Sequence, residues 1–212
     1  MAISTAPRWE VEDLGRCAYQ EAGVRMAAAV AERAAGGDAD RLLLAEFEPV
    51  LTVGRGGGPA AAYAGLGIPV YEVERGGKAT FHGPGQVVAY PIVGLEGPAR
   101  DLHAYLHALE EALIRTVGRF GLVGGRDPRN TGCWVRGRKI ASIGVAVRRW
   151  VAYHGVALNV STDLAWFRRF DPCGLAPDTM TSLAEELRPD PPPSLRAVKA
   201  ALAEELAAVL RT

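Results

Sequence analysis

The most informative segment of the sequence is Arg75-Gly76-Gly77-Lys78-Ala79-Thr80-Phe81-His82-Gly83-Pro84-Gly85-Gln86. It holds four glycines and a proline among cations, a hydroxyl, an aromatic ring and an imidazole. Glycine lets the backbone approach a ligand closely, at an entropic cost in folding, so polar groups on this loop indicate a binding surface more than a core. Apolar runs at 68–73 and 86–93 predict a strand entering the loop and one leaving it. Pro91 favours an edge position or a strand end for the second.

The remaining pattern predicts helices mixed with a mostly antiparallel sheet, the α+β class. Apolar spacing and end signals predict helices at 13–35, ended by Gly36-Gly37, at 101–120, capped by Asp101, at 164–170, at 180–187, and from Ser194 to Leu210. Strands are predicted at 41–47, at 50–53 as a continuation of the same sheet, on both sides of Arg136-Gly137-Arg138 as a hairpin, and at 151–160. We expect one domain over 1–212, in which 189–212 is a proline linker and a C-terminal helix packed on the rest.

Composition and charge bound the class of protein. The chain of 212 residues is 49% hydrophobic and has zero formal net charge, so no global field draws it to nucleic acid or to a membrane. The spacing of Cys17, Cys133 and Cys173 implies neither zinc nor a disulfide framework. Residues 1–10 lack the apolar run of a signal peptide, and no stretch is apolar enough to span a membrane. We therefore expect a protein of the reducing cytoplasm.

Nucleotide and metal signatures are weak. Gly132 to Lys139 resembles a phosphate-binding loop, but Arg138 stands where lysine is needed and Lys139 where a hydroxyl should bind magnesium. His103 and His107 are four residues apart on one predicted helix, yet no glutamate lies between them in the metalloprotease pattern. We predict that both histidines lie at the surface.

The three cysteines differ in their local sequence. Cys17 in a predicted helix and Cys133 in a predicted strand are expected to be small buried hydrophobes. Cys173 stands between Pro172 and Gly174 in an irregular segment, where a thiol can face a cleft. From these residues alone, a catalytic thiol and a structural cysteine both stay open for Cys173.

Four motifs, taken together and in order, resemble the lipoyl(octanoyl) transferase family. They are Arg75-Gly76-Gly77-x-x-Thr80-x-His82-Gly83-Pro84-Gly85-Gln86, Gly137-x-Lys139-Ile140-Ala141-x-x-Gly144, His154-Gly155-x-Ala157-Leu158-Asn159 and Pro172-Cys173-Gly174. Phe81 stands where the family usually has tyrosine, and we expect little effect if that ring only packs. The resemblance implies a fold similar to the biotin and lipoate protein ligase catalytic domain, a bent, largely antiparallel sheet backed by helices.

The resemblance also implies a reaction, the first step of protein lipoylation. Octanoate is taken from octanoyl-acyl carrier protein and delivered to a lysine of a lipoyl domain, in 2-oxoacid dehydrogenase complexes or in the glycine cleavage H protein. In the family, the cysteine matching Cys173 is the nucleophile and the lysine matching Lys139 is its partner. Passing an acyl group from thioester to thioester to amide needs no ATP, and the resemblance implies no cofactor and no metal. No nucleic-acid or membrane partner is implied.

The same resemblance suggests where the substrate binds. The loop residues expected to line the acyl pocket are Arg75, Gly76, Gly77, Lys78, Ala79, Thr80, Phe81 and His82. Two segments of small residues are predicted on neighbouring strands, where they leave room for an alkyl chain and offer backbone N–H groups to an oxyanion: Ser142-Ile143-Gly144 and Gly155-Val156-Ala157. For Ala157, tight sheet packing is the open alternative. His154 and Asn159 are expected to support the site.

Positive charge is concentrated late in the chain. Between Arg126 and Arg169 the sequence holds nine Arg or Lys residues against Asp127 and Asp163. Either this is a solvated basic face or it docks an acidic partner. The residues predicted to dock acyl carrier protein are Arg136, Arg138, Arg148 and Arg149.

Three other functions stay open on the sequence. The first is an ATP-dependent lipoate or biotin ligase on the same fold, which would not need the cysteine in Pro172-Cys173-Gly174. The second is a thioesterase that pairs Cys173 with His82 or His154. The third is an acyl-carrier-binding protein without turnover.

Overall fold

The computed structural model describes residues 8–171 and 174–211, which form ten strands and four α-helices. The strands are β1 Arg8–Cys17, β2 Ala39–Phe47, β3 Val50–Val53, β4 Val70–Glu72, β5 Ala79–His82, β6 Gln86–Gly94, β7 Gly124–Gly125, β8 Gly132–Val135, β9 Arg138–Arg148 and β10 Val151–Asn159. The helices are α1 Tyr19–Ala34, α2 Leu102–Gly118, α3 Leu183–Glu186 and α4 Leu195–Leu210. Short 3₁₀ segments lie at Ala60–Leu66, Gly97–Ala99, Leu164–Arg168 and Pro177–Thr179.

The strands form two sheets, of seven and three strands. The large sheet has the order β1-β2-β6-β10-β9-β8-β7, and the small one has the order β4-β3-β5. Only the pairs β1–β2 and β3–β4 are parallel among the described strands, so the predicted α+β class with a mostly antiparallel sheet is confirmed. The expectation that 50–53 continues the large sheet is wrong. A bend at Glu48-Pro49 separates β3 from β2, and β3 pairs with β5 instead.

Helices cover both faces of the large sheet. On one face α1 packs Ala22 and Met26 against Val88 and Tyr90 of β6. On the other face β6 packs against α2 and α4. One cluster there contains Val87, Ala89, Leu109, Leu113, Val198, Leu202 and Leu206. Strand β6 is therefore buried on both sides, which explains its nearly continuous apolar sequence. The C-terminal helix α4 closes this second face by packing on α2.

The N-terminal part of the predicted 13–35 helix is a strand. Residues up to Cys17 pair in parallel with β2, and the helix begins only at Tyr19. A shift of register lies between Asp13 and Arg16, where Gly15 adopts a φ of 67°. Pairing with β2 thus outweighs the local helical pattern. Cys17 is buried as expected, but at the end of a strand.

Pro91 does not lie at a sheet edge. Strand β6 runs between β2 and β10 in the middle of the large sheet. The ladder to β10 is interrupted between the pairs Ala152↔Val93 and Val156↔Ala89. Pro91 falls in this gap, opposite the part of β10 where His154 has a φ of 57°. A central strand tolerates the missing proline N–H because the ladder is already broken there.

The two sharp turns of the β-rich segment are two-residue hairpins. Arg136 and Gly137 join β8 to β9 with φ of 49° and 74°, as a left-handed two-residue turn requires. Arg149 and Trp150 make the equivalent turn between β9 and β10. The predicted hairpin is confirmed, and its strand–turn–strand form does not fit a phosphate-binding loop, which leads into a helix.

The predicted cap of helix α2 is confirmed, and the apolar stripe of this helix lies partly in the core and partly at a cavity. The carboxylate of Asp101 accepts hydrogen bonds from the N–H groups of His103 and Ala104. Leu109, Leu113 and Val117 lie in the core, whereas Leu102 and Leu106, at the start of the helix, line a cavity. His103 and His107 are exposed, as predicted. No described helix is long and apolar enough to cross a membrane.

Candidate functional site

The candidate site is a cavity of about 550 Å³ between the glycine-rich loop, β9, β10 and the start of α2. Most residues predicted to bind substrate line it. From the loop and β5 they are Arg75, Gly76, Gly77, Lys78, Thr80 and His82, and from the two long strands they are Ser142, Ile143, Gly144, Gly155, Val156 and Ala157. His154 and Lys139 also line this cavity. Residues of three of the four motifs, which are distant in sequence, thereby lie together in the wall of one cavity.

The cavity exists because β8 is shorter than β9. The β8–β9 ladder ends at the pair Gly132↔Ser142. Beyond this pair the glycine-rich loop contacts the same edge of β9, where Gly76 N–H donates to Val145 O at 2.9 Å. The N–H and C=O of one residue in an antiparallel strand point to the same side and alternate along the chain. Since Val145 points its carbonyl to this edge, the backbone N–H and C=O of Ile143 point to the same side of β9.

The small residues of the two strands have a packing reason of their own. As predicted, Ser142-Ile143-Gly144 and Gly155-Val156-Ala157 pair across β9 and β10, with Gly144 opposite Gly155. A Cβ at Gly144 would lie 2.7 Å from Cδ of Arg75, and one at Gly155 would lie 2.3 Å from the carbonyl oxygen of Ala89. These two glycines are therefore required by neighbouring protein atoms, and not only by a ligand.

Arg75 organises the loop on which it lies. Its buried guanidinium donates to both the carbonyl oxygen and Oγ1 of Thr52 at 2.8 Å. It also donates to the carbonyl oxygens of Gly76 and Lys78 at 2.9 and 3.0 Å. The sequence predicted only that Arg75 lines the pocket. The structure adds that its hydrogen bonds hold the loop backbone in shape.

Ala79 and Phe81 do not line the cavity, contrary to the sequence-based expectation. They alternate with Thr80 and His82 along β5, so they point to the opposite face of the small sheet. Phe81 is buried there and stacks on Trp166 with ring centroids 5.0 Å apart. Because this ring packs in a core, the absence of a tyrosine hydroxyl leaves the cavity unchanged.

A chain of hydrogen bonds connects His82 to the backbone of Lys139. His82 Nδ1 lies 2.7 Å from Gln86 Oε1, and Gln86 Nε2 donates to Asn159 Oδ1 at 2.9 Å. Asn159 Nδ2 donates to the carbonyl oxygen of Thr181, whose own N–H donates to the carbonyl oxygen of Lys139. Asn159 thus lies behind the cavity wall and supports it, rather than facing the cavity.

Both cavity histidines are neutral at neutral pH. Burial lowers the pKa of His82 from 6.5 to about 4, against a raising effect of the hydrogen bond with Gln86. Burial also lowers the pKa of His154 to about 4, with a further lowering by the charge of Arg75. These imidazoles can exchange hydrogen bonds with a bound group but do not add positive charge to the site.

The depressed pKa of His82 predicts a loss of stability in mild acid. Between pH 6.5 and pH 4 the unfolded chain takes up a proton at this residue and the folded chain does not, so the free energy of unfolding falls as the pH falls. At most about 3 kcal/mol is lost in this way. We expect His82→Gln to flatten the pH dependence of the free energy of unfolding, measured by urea titration, over this window. An unaltered slope in His82→Gln would contradict the assignment.

Lys139 is held by a neighbouring loop. The side chain is almost fully buried, and Nζ donates to Oδ1 of Asn130 at 2.5 Å. Asn130 is itself fixed, because its carbonyl oxygen accepts from Trp134 Nε1 at 2.9 Å. Gly132 adopts a φ of 148°, and a Cβ there would lie 2.9 Å from Cε of Lys139. Glycine at 132 therefore leaves the space through which the lysine reaches the cavity.

Pro172 and Cys173 lie outside the described residues. The residues on either side of them are described, and they meet the rim of the cavity. Lys78, which lines the cavity, donates to Asp171 Oδ2 at 3.2 Å, and its Nζ lies 3.6 Å from the Cβ position of Gly174. Of the other thiols, burial raises the pKa of Cys17 and raises the pKa of Cys133 to about 12. These two thiols are poor candidates for a nucleophile.

The four arginines predicted to dock a partner do not form one patch. Arg136 and Arg138 pair with the buried carboxylate of Glu186 at one end of β9. Arg148 pairs with Glu74 at the other end of the same strand, next to Arg149. Ten residues of strand separate the two pairs by about 33 Å. One small partner surface would contact only one of the pairs.

Several cavity residues were not predicted from the sequence, namely Tyr19, Thr52, Tyr90 and Asn130. Tyr19 and Tyr90 stand in apolar periodic segments whose local pattern indicates core. Asn130 follows Pro128-Arg129 in a polar loop directly before the hairpin. The polarity of this loop is a sequence signal that could have indicated a site residue. Among residues 8–171 and 174–211, no group of three or more His, Cys, Asp and Glu side chains could hold a metal ion.

Sequence comparisons place these observations in one family. A model of the lipoyl protein ligase A/B catalytic domain matches residues 19–207. The octanoyltransferase of Geobacter metallireducens is 48% identical over 182 residues, which are 85% of this chain and 85% of that protein. The octanoyltransferase of Rubrobacter xylanophilus is 48% identical over 181 residues, 82% of this chain and 81% of that protein.

Solved structures show the same fold at low sequence identity. A bipartite lipoate protein ligase from Thermoplasma acidophilum, described with its E2 lipoyl domain, has a TM-score of 0.71 and 17% identity, covering 96% of this chain and 83% of that one. Biotin protein ligase from Aquifex aeolicus, in complex with biotin and ATP, has a TM-score of 0.56 and 13% identity, covering 95% and 70%. The predicted similarity to the biotin and lipoate ligase fold is confirmed.

Proposed function

The chain belongs to the family of the lipoyl protein ligase A/B catalytic domain, and we propose that it transfers an octanoyl group from acyl carrier protein to a lysine of lipoyl domains through a thioester on Cys173. Octanoyl transfer follows from relatives named octanoyltransferase at nearly half identity over most of both chains. The identity of the acyl donor, the covalent intermediate on Cys173 and the roles of individual residues are our proposals.

The observation that carries the proposal is the position of Lys139 in the wall of the cavity that the sequence motifs line. Its Nζ is buried and oriented by Asn130, and Leu102, Leu106 and Val156 give the same cavity apolar walls. An amine at such a place is suited to proton transfer, and the apolar walls are suited to an alkyl chain. Lys78, on the rim, contacts the residues that flank Pro172 and Cys173.

The proposed reaction has two acyl transfers. The thiol of Cys173 gives its proton to Lys139 and attacks the carrier thioester; the new bond joins Sγ to the acyl carbon, the carrier's carbon–sulfur bond breaks, and the proton leaves with the carrier thiol. The lysine amine of the lipoyl domain then attacks the acyl carbon. An amide forms, the bond to Sγ breaks, and the amine's proton returns to Cys173 by way of Lys139.

We assign the oxyanion of each tetrahedral intermediate to the backbone of β9. Ser142-Ile143-Gly144 lies in the wall of the cavity, and its backbone N–H groups are the candidate donors. A backbone N–H on a paired strand is fixed in direction, so it costs no reorganisation when negative charge develops. His82 and Thr80 face the same space and are candidates to position the incoming amine.

The partners follow from the chemistry of the two transfers. We propose acyl carrier protein as the donor, and lipoyl domains of 2-oxoacid dehydrogenase complexes and the glycine cleavage H protein as acceptors, in the cytoplasm. The basic pair Arg148 and Arg149 lies on the turn that follows Val145 in β9, closer along the strand to the glycine-rich loop than Arg136 and Arg138. We propose that the carrier's acidic surface contacts one of these two basic pairs.

Intact-protein mass spectrometry tests the proposal. The protein is mixed with octanoyl-acyl carrier protein without ATP, and we expect one octanoyl group on the chain, mapped to Cys173 and discharged by apo lipoyl domain. Release of free octanoate without an acceptor would indicate a thioesterase. Acylation of the lipoyl domain only with free octanoate and ATP would indicate a ligase.

Asn130 is expected to be a positioning residue for Lys139. Asn130→Ala removes the acceptor of the Lys139 Nζ hydrogen bond, and we expect kcat to fall about tenfold, the effect of losing one hydrogen bond to a charged group. Asn130→Asp keeps the acceptor but adds a negative charge, which favours the ammonium form of Lys139. Because the proposed reaction needs the neutral amine, kcat should rise with pH, and in this variant the rise should lie at higher pH. Unchanged pH profiles in both variants would leave Asn130 with a structural role only.

A further inference from the structure

Two concave regions of the protein share a wall. Beyond one end of the main cavity lies a second concavity of about 220 Å³, whose apolar residues include Met26 and Val30 of α1 and Val73. Tyr19 and His154 line both regions, and no other described residue does so. These two side chains therefore stand between the main cavity and additional apolar space.

This wall lies at the end of the main cavity away from Lys139. His154 pairs with Val145 on β9, six residues beyond Lys139 along the strand. An acyl chain with its carbonyl carbon at Lys139 and its alkyl part along β9 therefore directs its methyl end toward Tyr19 and His154.

The wall is rigidly packed. The ring of Tyr19, at the first position of α1, packs edge-on against Phe47 and stacks on Tyr71, with centroid distances of 5.4 and 5.3 Å. The buried imidazole of His154 stacks on Tyr153 at 5.1 Å and meets Tyr90 edge-on at 5.9 Å. Side chains held by several aromatic neighbours resist displacement by a ligand.

We propose that Tyr19 and His154 form the end wall that limits the length of the acyl chain, and that removing either side chain opens the main cavity into the second concavity and admits longer chains. The inference rests on the proposed function, in which this cavity holds the acyl group. Apolar surface in the second concavity would then cover the added methylene groups.

The test compares acyl chain lengths in the intact enzyme. Octanoyl-, decanoyl- and dodecanoyl-acyl carrier protein are offered with apo lipoyl domain, and the acylated domain is quantified over time. We expect Tyr19→Ala to raise the ratio of dodecanoyl to octanoyl transfer by about tenfold or more, the usual discrimination for added methylenes. His154→Gly is an independent second variant, because a φ of 57° is unstrained for glycine.

A blocking variant makes the test specific to the second concavity. Gly23 lines that concavity but not the main cavity, and a Cβ at this position meets open space. Gly23→Leu alone should leave octanoyl transfer unchanged, and in combination with Tyr19→Ala it should cancel the gain for dodecanoyl.

The outcomes separate the two hypotheses. If the wild-type enzyme transfers no octanoyl group, the proposed function fails and the end wall with it. If the wild type transfers octanoyl and the ratio is unchanged in folded Tyr19→Ala and His154→Gly, only the end wall is refuted. Equal wild-type rates for octanoyl and dodecanoyl, or a gain that persists with Gly23→Leu, would also overturn it.

Discussion

Lys139→Arg is expected to lose about 10²–10⁴-fold in octanoyl transfer, the contribution typical of a positioned general acid–base group. Arginine keeps the positive charge but cannot release a proton in a protein. The variant therefore separates electrostatic activation of the thiol from proton transport. Near-normal activity would refute the proton-carrier role of Lys139.

Magnitudes explain why charge alone is a small effect. An unperturbed thiol is only about 3% thiolate at neutral pH. If a nearby ammonium lowered its pKa by about two units, thiolate would rise roughly 25-fold, while intrinsic nucleophilicity would fall about 6- to 10-fold. The net gain is several-fold, far below the effect of proton transfer.

Arginine is larger than the buried site beside Gly132, so Lys139→Arg could lose activity by poor packing alone. Lys139→Ala is therefore the matched control. The alanine variant leaves a space at the cavity wall, which a small primary amine can enter. We expect added ethylamine to restore part of the activity of Lys139→Ala and none of that of Lys139→Arg. Equal rescue of both variants would point to a nonspecific effect of the amine.

Cys173→Ala is expected to abolish transfer, with a loss of about a thousandfold or more, since no covalent intermediate can form. In the same assay the carrier-bound octanoyl group should stay intact and no adduct should appear on the chain. Substantial transfer by Cys173→Ala would exclude the thioester intermediate and favour direct attack by the lipoyl-domain lysine.

Cys133→Ala is the control for this variant. Cys133 is fully buried in β8, and burial raises the pKa of its thiol to about 12, so it is neither accessible nor ionised. The change removes one buried sulfur atom and should leave adduct formation and turnover near the wild-type values. Loss of the adduct in Cys133→Ala, with the fold intact by circular dichroism, would show that the wrong cysteine had been assigned.

The local sequence was a good guide wherever backbone preference or periodicity decided the structure. The cap at Asp101, the turn at Arg136-Gly137 and the last helix after Ser194 each depend on neighbouring residues only. Resemblance of four motifs added the family and the two candidate catalytic residues, Cys173 and Lys139. The comparisons bear out the family, while the roles of these two residues stay predictions.

Local patterns failed where a distant strand or helix competed with them. Residues 13–17 continue the helical pattern but pair with β2, because the ladder supplies backbone hydrogen bonds to a distant strand. Pro91 indicates an edge by its missing N–H, yet the ladder partner is already interrupted near His154. In both places a contact with a distant segment decided the outcome, and no window of sequence contains that contact.

By itself the sequence determined the α+β class, most of the elements and the motifs that meet at the site, because these follow from periodicity, capping and turn chemistry within short segments. Three features are visible only in the folded protein: Arg75 holds the loop, Asn130 orients Lys139, and Phe81 faces away from the cavity. Only the tertiary structure likewise brought Tyr19 beside His154 as an end wall. Such contacts join residues that are far apart along the chain, and their geometry is set by how the sheets and helices pack.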